Sequence, residues 1–426
     1  MYQNIQRCRA CGNTDLASVL DLGILALTGV FPRRKGEPVP SGPLELVKCV
    51  EDSSRNTCGL VQLKHRYDPS LLYGSNYGYR SGLNRSMVTH LEDIAAKIKA
   101  RTRLGSGDIA LDIGSNDGTL LNALQAPGLI LVGMDPSGEK LRSHYPADGC
   151  LIPELFSAAR FQKEFGGKKA KLITTIAMFY DLDDPVSFMR EIAELLSPDG
   201  LWIFEQSYLP SMLESCSYDT ICHEHQEYYS LRQVVWMAKQ AGLKVLDVEL
   251  NGINGGSFCV SAALPDSPFG VNEHSICDLL SEEDASDFNR AAGYKSFRER
   301  VFRHRDQLRG FLRRASESGT RVLGYGASTK GNVLLQFCGI TSNELPYVAE
   351  VNSDKFGCFT PGTLLPIISE QEAHAMRPDA FFVLPWHFRE NLIQRESWFL
   401  NSGGKLIFPL PEIGEVTGAK IARRGA

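Results

Sequence analysis

Four cysteines near the start of the chain have the spacing of a metal site. Cys8 and Cys11 form a C-x2-C pair, in which one tight turn can present two thiolates, and Cys49 and Cys58 follow. Because zinc prefers four soft ligands in a tetrahedron, these sulfurs predict a structural zinc site with no open coordination position. The stretch between Cys49 and Cys58 is longer than a usual knuckle, and we expect this polar insert to loop out. Four unrelated thiols are the alternative.

A second group of residues is typical of a loop that a ligand approaches closely. A short apolar strand runs into a glycine turn whose candidate cofactor-binding residues are Asp112, Gly114, Ser115, Asn116 and Gly118. Glycines let a ligand approach the backbone, and the helix that follows offers free amide groups. Asp135 and Pro136 end the next predicted strand, about twenty positions later, where an acidic side chain suits a pair of ribose hydroxyls. A turn that binds nothing is the alternative.

His223, Glu224 and His225 form a third candidate group. A zinc-protease H-E-x-x-H signature needs its second histidine at position 227, which is Glu227, so this interpretation is excluded. The group follows a strand and precedes a helix, where α/β proteins bind their ligands. Because an imidazole beside a carboxylate can take up a proton near neutral pH, we expect acid–base chemistry here. A solvated polar segment is the alternative.

A glycine- and hydroxyl-rich loop at 324–332 follows a later strand and could hold a phosphate. Its candidate substrate-binding residues are Gly326, Ser328, Lys330 and Asn332, which supply amides, a hydroxyl and one cation. The Gly-Lys-Ser/Thr order of a P-loop is absent. Trp386, near the end of another predicted strand, could stack on a nucleobase or a sugar. A degenerate nicotinamide-binding loop and a Rossmann-like domain without a ligand are the alternatives.

The elements that must position these groups alternate between strands and helices. After a predicted helix at 85–99, apolar strands are predicted at 109–113, 129–134, 172–176, 201–205 and 244–248, with helices at 186–196 and 231–241. A charged helical stretch at 281–318 precedes further strands at 321–326, 345–350, 380–384 and 405–409. This alternation predicts an α/β fold class, with parallel sheets covered by helices on both faces.

Length and composition limit the possible classes of protein. A chain of 426 residues requires two or three domains, and we predict them at 1–75, 76–265 and 266–426. With 45 basic and 50 acidic residues the formal net charge is −5, which provides no broad basic surface for nucleic acid. The sequence has no apolar run of the roughly 20 residues that span a bilayer, and it lacks the apolar segment of a secretory signal. We expect a cytoplasmic protein without nucleic-acid or membrane partners, and we favour a monomer.

Several markers in one order resemble the deoxysugar C-methyltransferases, which modify nucleotide-linked 4-keto sugars. The markers are Cys8-x2-Cys11, residues 58–63, Tyr77-x-Tyr79-x-Ser81, the 112–118 loop, residues 219–225, Gly255-Gly256-Ser257 and the 324–332 loop. The resemblance implies an N-terminal zinc-binding domain and a central class I methyltransferase domain with a Rossmann-like parallel sheet that binds S-adenosylmethionine (SAM). It also implies a second Rossmann-like domain at the C-terminus that helps to hold the nucleotide sugar.

The resemblance further implies roles for single residues. The predicted catalytic residues are His225, Glu224, His223, Tyr77, Tyr79 and Tyr180, and Phe156 joins the cofactor-binding set. His225 would remove the C3 proton of a 4-keto sugar, and Glu224 would orient it or act as a second acid or base. The tyrosines would donate to the developing C4 oxyanion, and the enolate would attack the SAM methyl group.

The chain departs from the family pattern at Cys222, where tyrosine is common, and at 178–180, where many relatives carry a histidine. Three other functions remain as alternatives. They are a SAM-dependent sugar O-methyltransferase, an NAD-dependent nucleotide-sugar oxidoreductase with Glu350 as its ribose partner, and a zinc-ribbon interaction protein with inactive enzyme domains.

Overall fold

A computed structural model describes residues 2–72 and 78–418, except for the side chain of Ser53. These residues form a small N-terminal β unit followed by two α/β units. Within the described ranges, no helix is long and apolar enough to cross a membrane.

The N-terminal unit is built on antiparallel strands. Its elements are β1 (Tyr2–Asn4), β2 (Leu16–Ala26), β3 (Ser41–Cys49), β4 (Val61–Leu63), β5 (His65–Tyr67) and the short helix α1 (Pro69–Leu72). Strand β3 pairs with β2 on one side and with β4 on the other. Sequence analysis predicted none of these strands. Bulges in β2 interrupt its alternation, and Gly42 and Pro43 within β3 resemble turn residues.

The middle unit contains a seven-stranded sheet. Its elements are α2 (Arg85–Arg101), β6 (Ile109–Ile113), α3 (Thr119–Leu124), β7 (Ile130–Met134), α4 (Gly138–Leu141), β8 (Cys150–Ile152), α5 (Ala158–Phe165), β9 (Ala170–Ile176), α6 (Pro185–Leu195), β10 (Leu196–Ser207), α7 (Leu209–Glu214), β11 (Glu227–Tyr228), α8 (Leu231–Gln240), β12 (Lys244–Asn251) and β13 (Ser257–Ala263). The strand order in the sheet is β12-β13-β10-β9-β6-β7-β8.

The sheet is parallel, as predicted, except for one strand. Strand β13 runs antiparallel to both of its neighbours, β10 and β12. The reason is the short glycine-rich connection from β12, which includes Asn254 at φ 55° and is too short for a crossover to a parallel strand. Strands are confirmed at all five predicted positions, with the predicted ends at 109–113 and with shifted ends at 129–134, 172–176, 201–205 and 244–248.

Local sequence explains where the helices of this unit begin and which face they bury. Helix α6 begins after Asp184, whose Oδ1 accepts a hydrogen bond from the Ser187 amide at 2.9 Å. Helix α8 begins with a reciprocal capping box between Ser230 and Gln233. Helix α2 buries Met87, Leu91, Ile94, Ala95 and Ile98 on one face, as its spacing predicts, and packs against α3.

The C-terminal unit contains a six-stranded sheet in the order β16-β15-β14-β17-β18-β19. Its elements are α9 (Glu273–Ala285), α10 (Ala291–Glu317), β14 (Val322–Tyr325), α11 (Thr329–Phe337), β15 (Val348–Glu350), β16 (Ile367–Ser369), α12 (Glu370–Ala375), β17 (Ala380–Val383), α13 (Arg389–Arg395), α14 (Ser397–Asn401), β18 (Lys405–Phe408) and β19 (Gly414–Thr417). Only β19 is antiparallel to its neighbour in this sheet. The prediction missed β16 and β19, which are three and four residues long.

The single helical stretch predicted at 281–318 is instead two helices, α9 and α10, separated by a turn at 286–290. At this break, the backbone carbonyl oxygen of Glu283 on α9 accepts hydrogen bonds from Ser286 Oγ at 2.8 Å and from Asn289 Nδ2 at 2.7 Å. The buried Glu283 carboxylate accepts hydrogen bonds from the Tyr208 hydroxyl at 2.8 Å and from the Leu231 amide at 2.6 Å. These bonds dock α9 against the middle unit, at the start of α8, where the helix dipole favours a negative charge.

Candidate active site

The four N-terminal cysteines converge as a metal site requires. The Sγ atoms of Cys8 and Cys58 lie 3.5 Å apart, as do those of Cys11 and Cys49, and all four sulfurs lie within 4.8 Å of one another. Zinc–sulfur bonds of about 2.3 Å place the sulfurs of a tetrahedral site about 3.8 Å apart, so the cluster fits zinc. The insert between Cys49 and Cys58 loops out, as predicted.

Neighbouring groups support this cysteine cluster. Gln62 donates a hydrogen bond from Nε2 to Cys8 Sγ at 3.2 Å, and Asn13 donates from Nδ2 to Cys49 Sγ at 3.4 Å. These donors stabilise thiolates, which are the ligand form that zinc binds.

A cavity of about 320 Å³ lies at the carboxyl ends of β6, β7 and β9. The predicted cofactor-binding residues in its wall are Asp112, Gly114, Ser115, Asn116, Asp135, Pro136 and Phe156. Carboxylates suit the ribose hydroxyls and the sulfonium charge of SAM, and the apolar side chains of Leu155, Phe156, Met178 and Phe188 suit its adenine. The residues present therefore fit SAM.

Hydrogen bonds pre-position the cavity's acidic residue and its glycine loop. Asp135 accepts from the Asn116 amide at 2.8 Å and from the Ser137 amide at 2.6 Å. The Tyr145 hydroxyl donates to the Asn116 carbonyl oxygen at 2.8 Å and lies 2.8 Å from Ser115 Oγ. Asp112 accepts from Thr174 Oγ1 at 2.7 Å.

Burial affects the pKa of Asp112 in the glycine loop, and two glycines of the same loop have positive φ angles. Burial raises the pKa of Asp112 to about 7. Gly114 has φ 73°, and a Cβ there would lie 3.0 Å from Met178 in the cavity wall. Gly118 is not among the residues that line the cavity. It begins helix α3 with φ 72°, and its role in cofactor binding stays a prediction.

His225 has a defined tautomer. Its Nδ1 lies 2.9 Å from the carbonyl oxygen of Thr220, and because a carbonyl only accepts hydrogen bonds, Nδ1 must carry the proton. The other nitrogen, Nε2, is then an acceptor. Burial, together with the charge of Lys330, lowers the pKa of His225 to about 3, so the imidazole is neutral at pH 7.

His225 stands beside the cavity for SAM, not in its wall. It lines a separate small cavity together with Tyr180, Thr220 and Tyr208. Its neighbour in the chain, Gln226, lines the larger cavity. The Tyr180 ring lies 4.1 Å from the His225 ring between their centroids.

The other two members of this segment are buried more deeply. His223 is fully buried, with Nε2 3.3 Å from the Gly42 carbonyl oxygen, and burial lowers its pKa to about 4. Glu224 accepts a hydrogen bond from Thr28 Oγ1 at 3.1 Å, and burial raises its pKa. A Cβ at Gly29 would lie 2.6 Å from Glu224 Oε1, so glycine makes this close approach possible.

The predicted oxyanion donors have different positions. Tyr180 is buried against His225, and Tyr79 lines the cavity for SAM. Tyr77 lies outside the described residues, so its predicted role has no structural counterpart here. Cys222 is fully buried in the apolar core, and burial raises its pKa well above the usual range.

The C-terminal unit contributes a charged cluster to the region of His225. Lys330 Nζ donates to the Asn254 carbonyl oxygen at 3.0 Å, and Trp386 Nε1 donates to Asp219 Oδ2 at 2.8 Å. Burial raises the pKa of Asp219 and the charge of Lys330 opposes it. Burial and the charge of Lys330 hold the pKa of His387 well below its usual range.

The remaining predicted substrate-binding residues have local contacts. Gly326 has φ 82°, and Ser328 caps α11 by accepting from the Gly331 amide at 3.0 Å. Asn332 is fully buried and donates to the Thr28 carbonyl oxygen at 2.7 Å. Trp386 is also buried, with its N–H engaged by Asp219. Their roles in substrate binding stay predictions.

Sequence analysis assigned no role to several residues that the structure brings to the site. Asp219 and His387 belong to the cluster around Lys330, and Gln226 lines the larger cavity. Arg9 contacts Gln226 from within the cysteine knuckle. Among these residues, only Arg9 has a feature in the sequence that could have indicated a role, because it is a cation between two predicted zinc ligands, Cys8 and Cys11.

The chain is similar to known proteins along nearly its whole length. Residues 8–73 match a family model described as "Putative zinc binding domain", residues 83–248 match "Methyltransferase domain", and residues 252–411 match "C-methyltransferase C-terminal domain". C-methyltransferase NovU of Streptomyces niveus is 31% identical over 415 residues, which cover 96% of each chain.

Two solved methyltransferase structures resemble part of the chain. Mitomycin 7-O-methyltransferase MmcR is 20% identical with a TM-score of 0.33, covering 43% of this chain and 55% of its own. A SAM-dependent methyltransferase from Clostridium acetobutylicum ATCC 824 is 16% identical with a TM-score of 0.33, covering 42% of this chain and 92% of its own.

Fold and site together define a SAM-dependent class I methyltransferase that carries an N-terminal zinc-binding domain. With the family-model matches and the full-length similarity to NovU, the chain belongs to the C-methyltransferase family.

Proposed function

We propose that this C-methyltransferase acts on a nucleotide-linked 4-keto-deoxysugar, with His225 as the base that removes the C3 proton. Carbon is a poor nucleophile until it becomes an enolate, and a ketone at C4 acidifies the proton at C3. SAM supplies an electrophilic methyl group. As the new carbon–carbon bond forms, the bond from methyl to sulfur breaks, and the abstracted proton remains on His225 until solvent removes it.

The observation that carries this proposal is the hydrogen bond from His225 Nδ1 to the Thr220 carbonyl oxygen. It keeps the imidazole in the tautomer whose Nε2 accepts a proton, as a general base requires. Gln226 and Asp181, which line the SAM cavity, directly follow His225 and Tyr180 in the chain. This adjacency supports an acceptor carbon held between the two cavities.

Two further features support the substrate class. Tyr180 packs against the His225 ring and Tyr79 lines the SAM cavity, and we assign their hydroxyls to the stabilisation of a C4 oxyanion. Lys330 at the start of α11 brings a cation into the same region. A cation beside a capped helix start favours a phosphate-bearing ligand.

Proton exchange tests the proposal without methyl transfer. TDP-, GDP- and CDP-linked 4-keto-6-deoxyhexoses would be incubated with the enzyme in D2O without SAM, and deuterium at C3 followed by NMR. We expect exchange with one of them, and a C-methyl product when SAM is added. An O-methyl product, or methyl transfer with no enzyme-dependent exchange, contradicts the proposal.

The substitution His225→Asn tests the assignment of the base. General bases contribute about 10²–10⁴-fold, so we expect kcat and the exchange rate to fall by at least about a hundredfold. The matched control is His274→Asn, because the His274 side chain is 89% exposed. A folded His225→Asn enzyme with near-normal exchange would eliminate His225 as the base.

A further inference from the structure

Arg9 lies between two zinc ligands in the chain, yet its side chain is only 2% exposed. Nη1 donates to the Leu63 carbonyl oxygen at 2.6 Å, and Nη2 donates to the His65 carbonyl oxygen and to Gln226 Oε1, both at 3.1 Å. One guanidinium thus joins the cysteine knuckle, strands β4 and β5, and the segment that follows His225.

Gln62 couples Arg9 to the cysteine cluster. Its Nε2 donates to Cys8 Sγ at 3.2 Å, while its Oε1 accepts from the Arg9 amide at 3.0 Å and from Nη1 at 3.4 Å. Because one fully buried carboxamide contacts both groups, the geometry of the knuckle sets the position of the guanidinium.

The Arg9 guanidinium also contacts residues that line the SAM cavity. Gln226 lines this cavity, donates from Nε2 to the Asp181 carbonyl oxygen at 3.0 Å, and donates from its amide to the Tyr180 carbonyl oxygen at 2.8 Å. Arg9 Nε lies 3.5 Å from Asp183 Oδ1, and Asp183 lines the same cavity. Arg9 therefore touches two residues of the cavity wall.

The strand β11 extends this connection. It pairs with β4, so the chain directly after Gln226 is part of the N-terminal sheet. Glu227 in β11 is fully buried with Oε1 3.6 Å from Arg9 Nε. Burying a cation is costly without partners, and here those partners come from both sides of the interface.

We propose that Arg9 is a positioning residue for the methyl-donor site. The knuckle and Gln62 hold the guanidinium, and the guanidinium holds Gln226 and Asp183 in the cavity wall. This inference rests on the SAM dependence of the family and is independent of the sugar proposed above.

Calorimetric titration with S-adenosylhomocysteine tests the role of Arg9. This ligand binds the methyl-donor site without a methyl-accepting substrate, so the test does not depend on the proposed sugar. Hydrogen bonds to charged groups have energies that correspond to about tenfold or more in affinity, so Arg9→Met should raise Kd by at least about tenfold. Arg9→Lys, which keeps the charge but loses the forked donors, should give an intermediate Kd. Both variants should retain one zinc per chain. Arg7→Met, an exposed arginine beside the knuckle, is the matched control.

A double-mutant cycle with Gln226→Leu tests the same contact if Arg9→Met does not fold. Arg9→Lys should weaken binding in the wild-type background and weaken it less in the Gln226→Leu background, because the contact with Gln226 is already lost and only that with Asp183 remains in the cavity wall. Additive effects in the cycle would overturn the inference. A zinc-loaded Arg9→Met protein with wild-type Kd would do so as well.

Discussion

At the scale of single residues, the two histidines of the 223–225 segment show how environment separates similar groups. Each has one nitrogen close to a carbonyl oxygen, at 2.9 Å for His225 and 3.3 Å for His223. The second nitrogen differs, because His223 Nδ1 is buried without a hydrogen-bond partner among the described residues. The Tyr67 ring lies 4.9 Å from the His223 ring, which is therefore a core residue, whereas His225 lines a cavity.

The same two residues predict acid sensitivity. Their pKa values in the folded protein, about 4 and about 3, lie below the ordinary value of 6.5, so the unfolded chain binds more protons below pH 6.5. Their contribution to stability is present above this pH and is lost as the pH falls towards the folded values. Between pH 7 and pH 5 we expect the free energy of unfolding to fall by about 1–2 kcal/mol per histidine.

Denaturant titrations at pH 5 and pH 7 measure this effect. The free energy of unfolding should differ less between pH 7 and pH 5 in His223→Asn than in the wild type, because one of the two histidines no longer contributes. This holds whatever the effect of the substitution on stability at pH 7. His274→Asn should leave the difference unchanged, because its side chain is exposed. An unaltered difference in His223→Asn would contradict the predicted linkage.

At the scale of elements, a two-residue strand connects two units. Strand β11 extends the N-terminal sheet, although it comes from the middle of the methyltransferase sequence. Gln233 in α8 adds a hydrogen bond from Nε2 to the Cys58 carbonyl oxygen at 3.0 Å. The segment that carries His225 is thus bounded on its C-terminal side by contacts with the zinc-binding domain.

The cysteine cluster predicts a measurable loss when one ligand is removed. In Cys49→Ser the fourth thiolate is absent, and zinc affinity should fall by more than the roughly 10–100-fold that loss of an outer-shell partner costs. Metal analysis after a competing chelator should find well under one zinc per chain, with increased proteolysis of the N-terminal unit. Cys277→Ser is the control, because Cys277 is exposed. Full zinc retention in Cys49→Ser would contradict Cys49 as a ligand.

At the scale of the whole molecule, all three units meet around residues 219–226. Thr28 of the N-terminal unit donates a hydrogen bond to Glu224. Thr28 in turn accepts a hydrogen bond at its carbonyl oxygen from Asn332 in α11 of the C-terminal unit. Gln336 accepts from the Ala26 amide at 2.7 Å. Glu350, the ribose partner in the NAD alternative, accepts from the amides that follow it and pairs with Lys355 at 3.6 Å.

This arrangement predicts that the C-terminal unit tunes the proposed base. Lys330→Met removes a charge that lowers the pKa of His225, so that pKa should rise towards its ordinary value. The acidic limb of the kcat profile should move to higher pH by up to about one unit. The control is Lys295→Met, an exposed lysine on α10. An unchanged profile in a folded Lys330→Met enzyme would show that Lys330 does not act on the base.

Much of this protein follows from its sequence alone. Most of the longer apolar strands of the two α/β units, the cysteine cluster and the glycine loop with Asp112 and Asp135 were predicted. Each of these features is local, because a strand, a knuckle or a tight turn requires certain residue types at fixed short spacings. The missed strands include β2, which is interrupted by bulges, β16, which has three residues, and β13, which follows a glycine-rich turn.

Only the tertiary structure decided how these pieces combine. The hydrogen bond from Arg9 to Gln226 joins residues 217 positions apart, and that from Trp386 to Asp219 joins residues 167 positions apart. No local sequence pattern predicts such contacts, because each partner is an ordinary polar residue within its own segment. The tautomer of His225 likewise depends on the direction of the Thr220 carbonyl, which only the folded backbone sets.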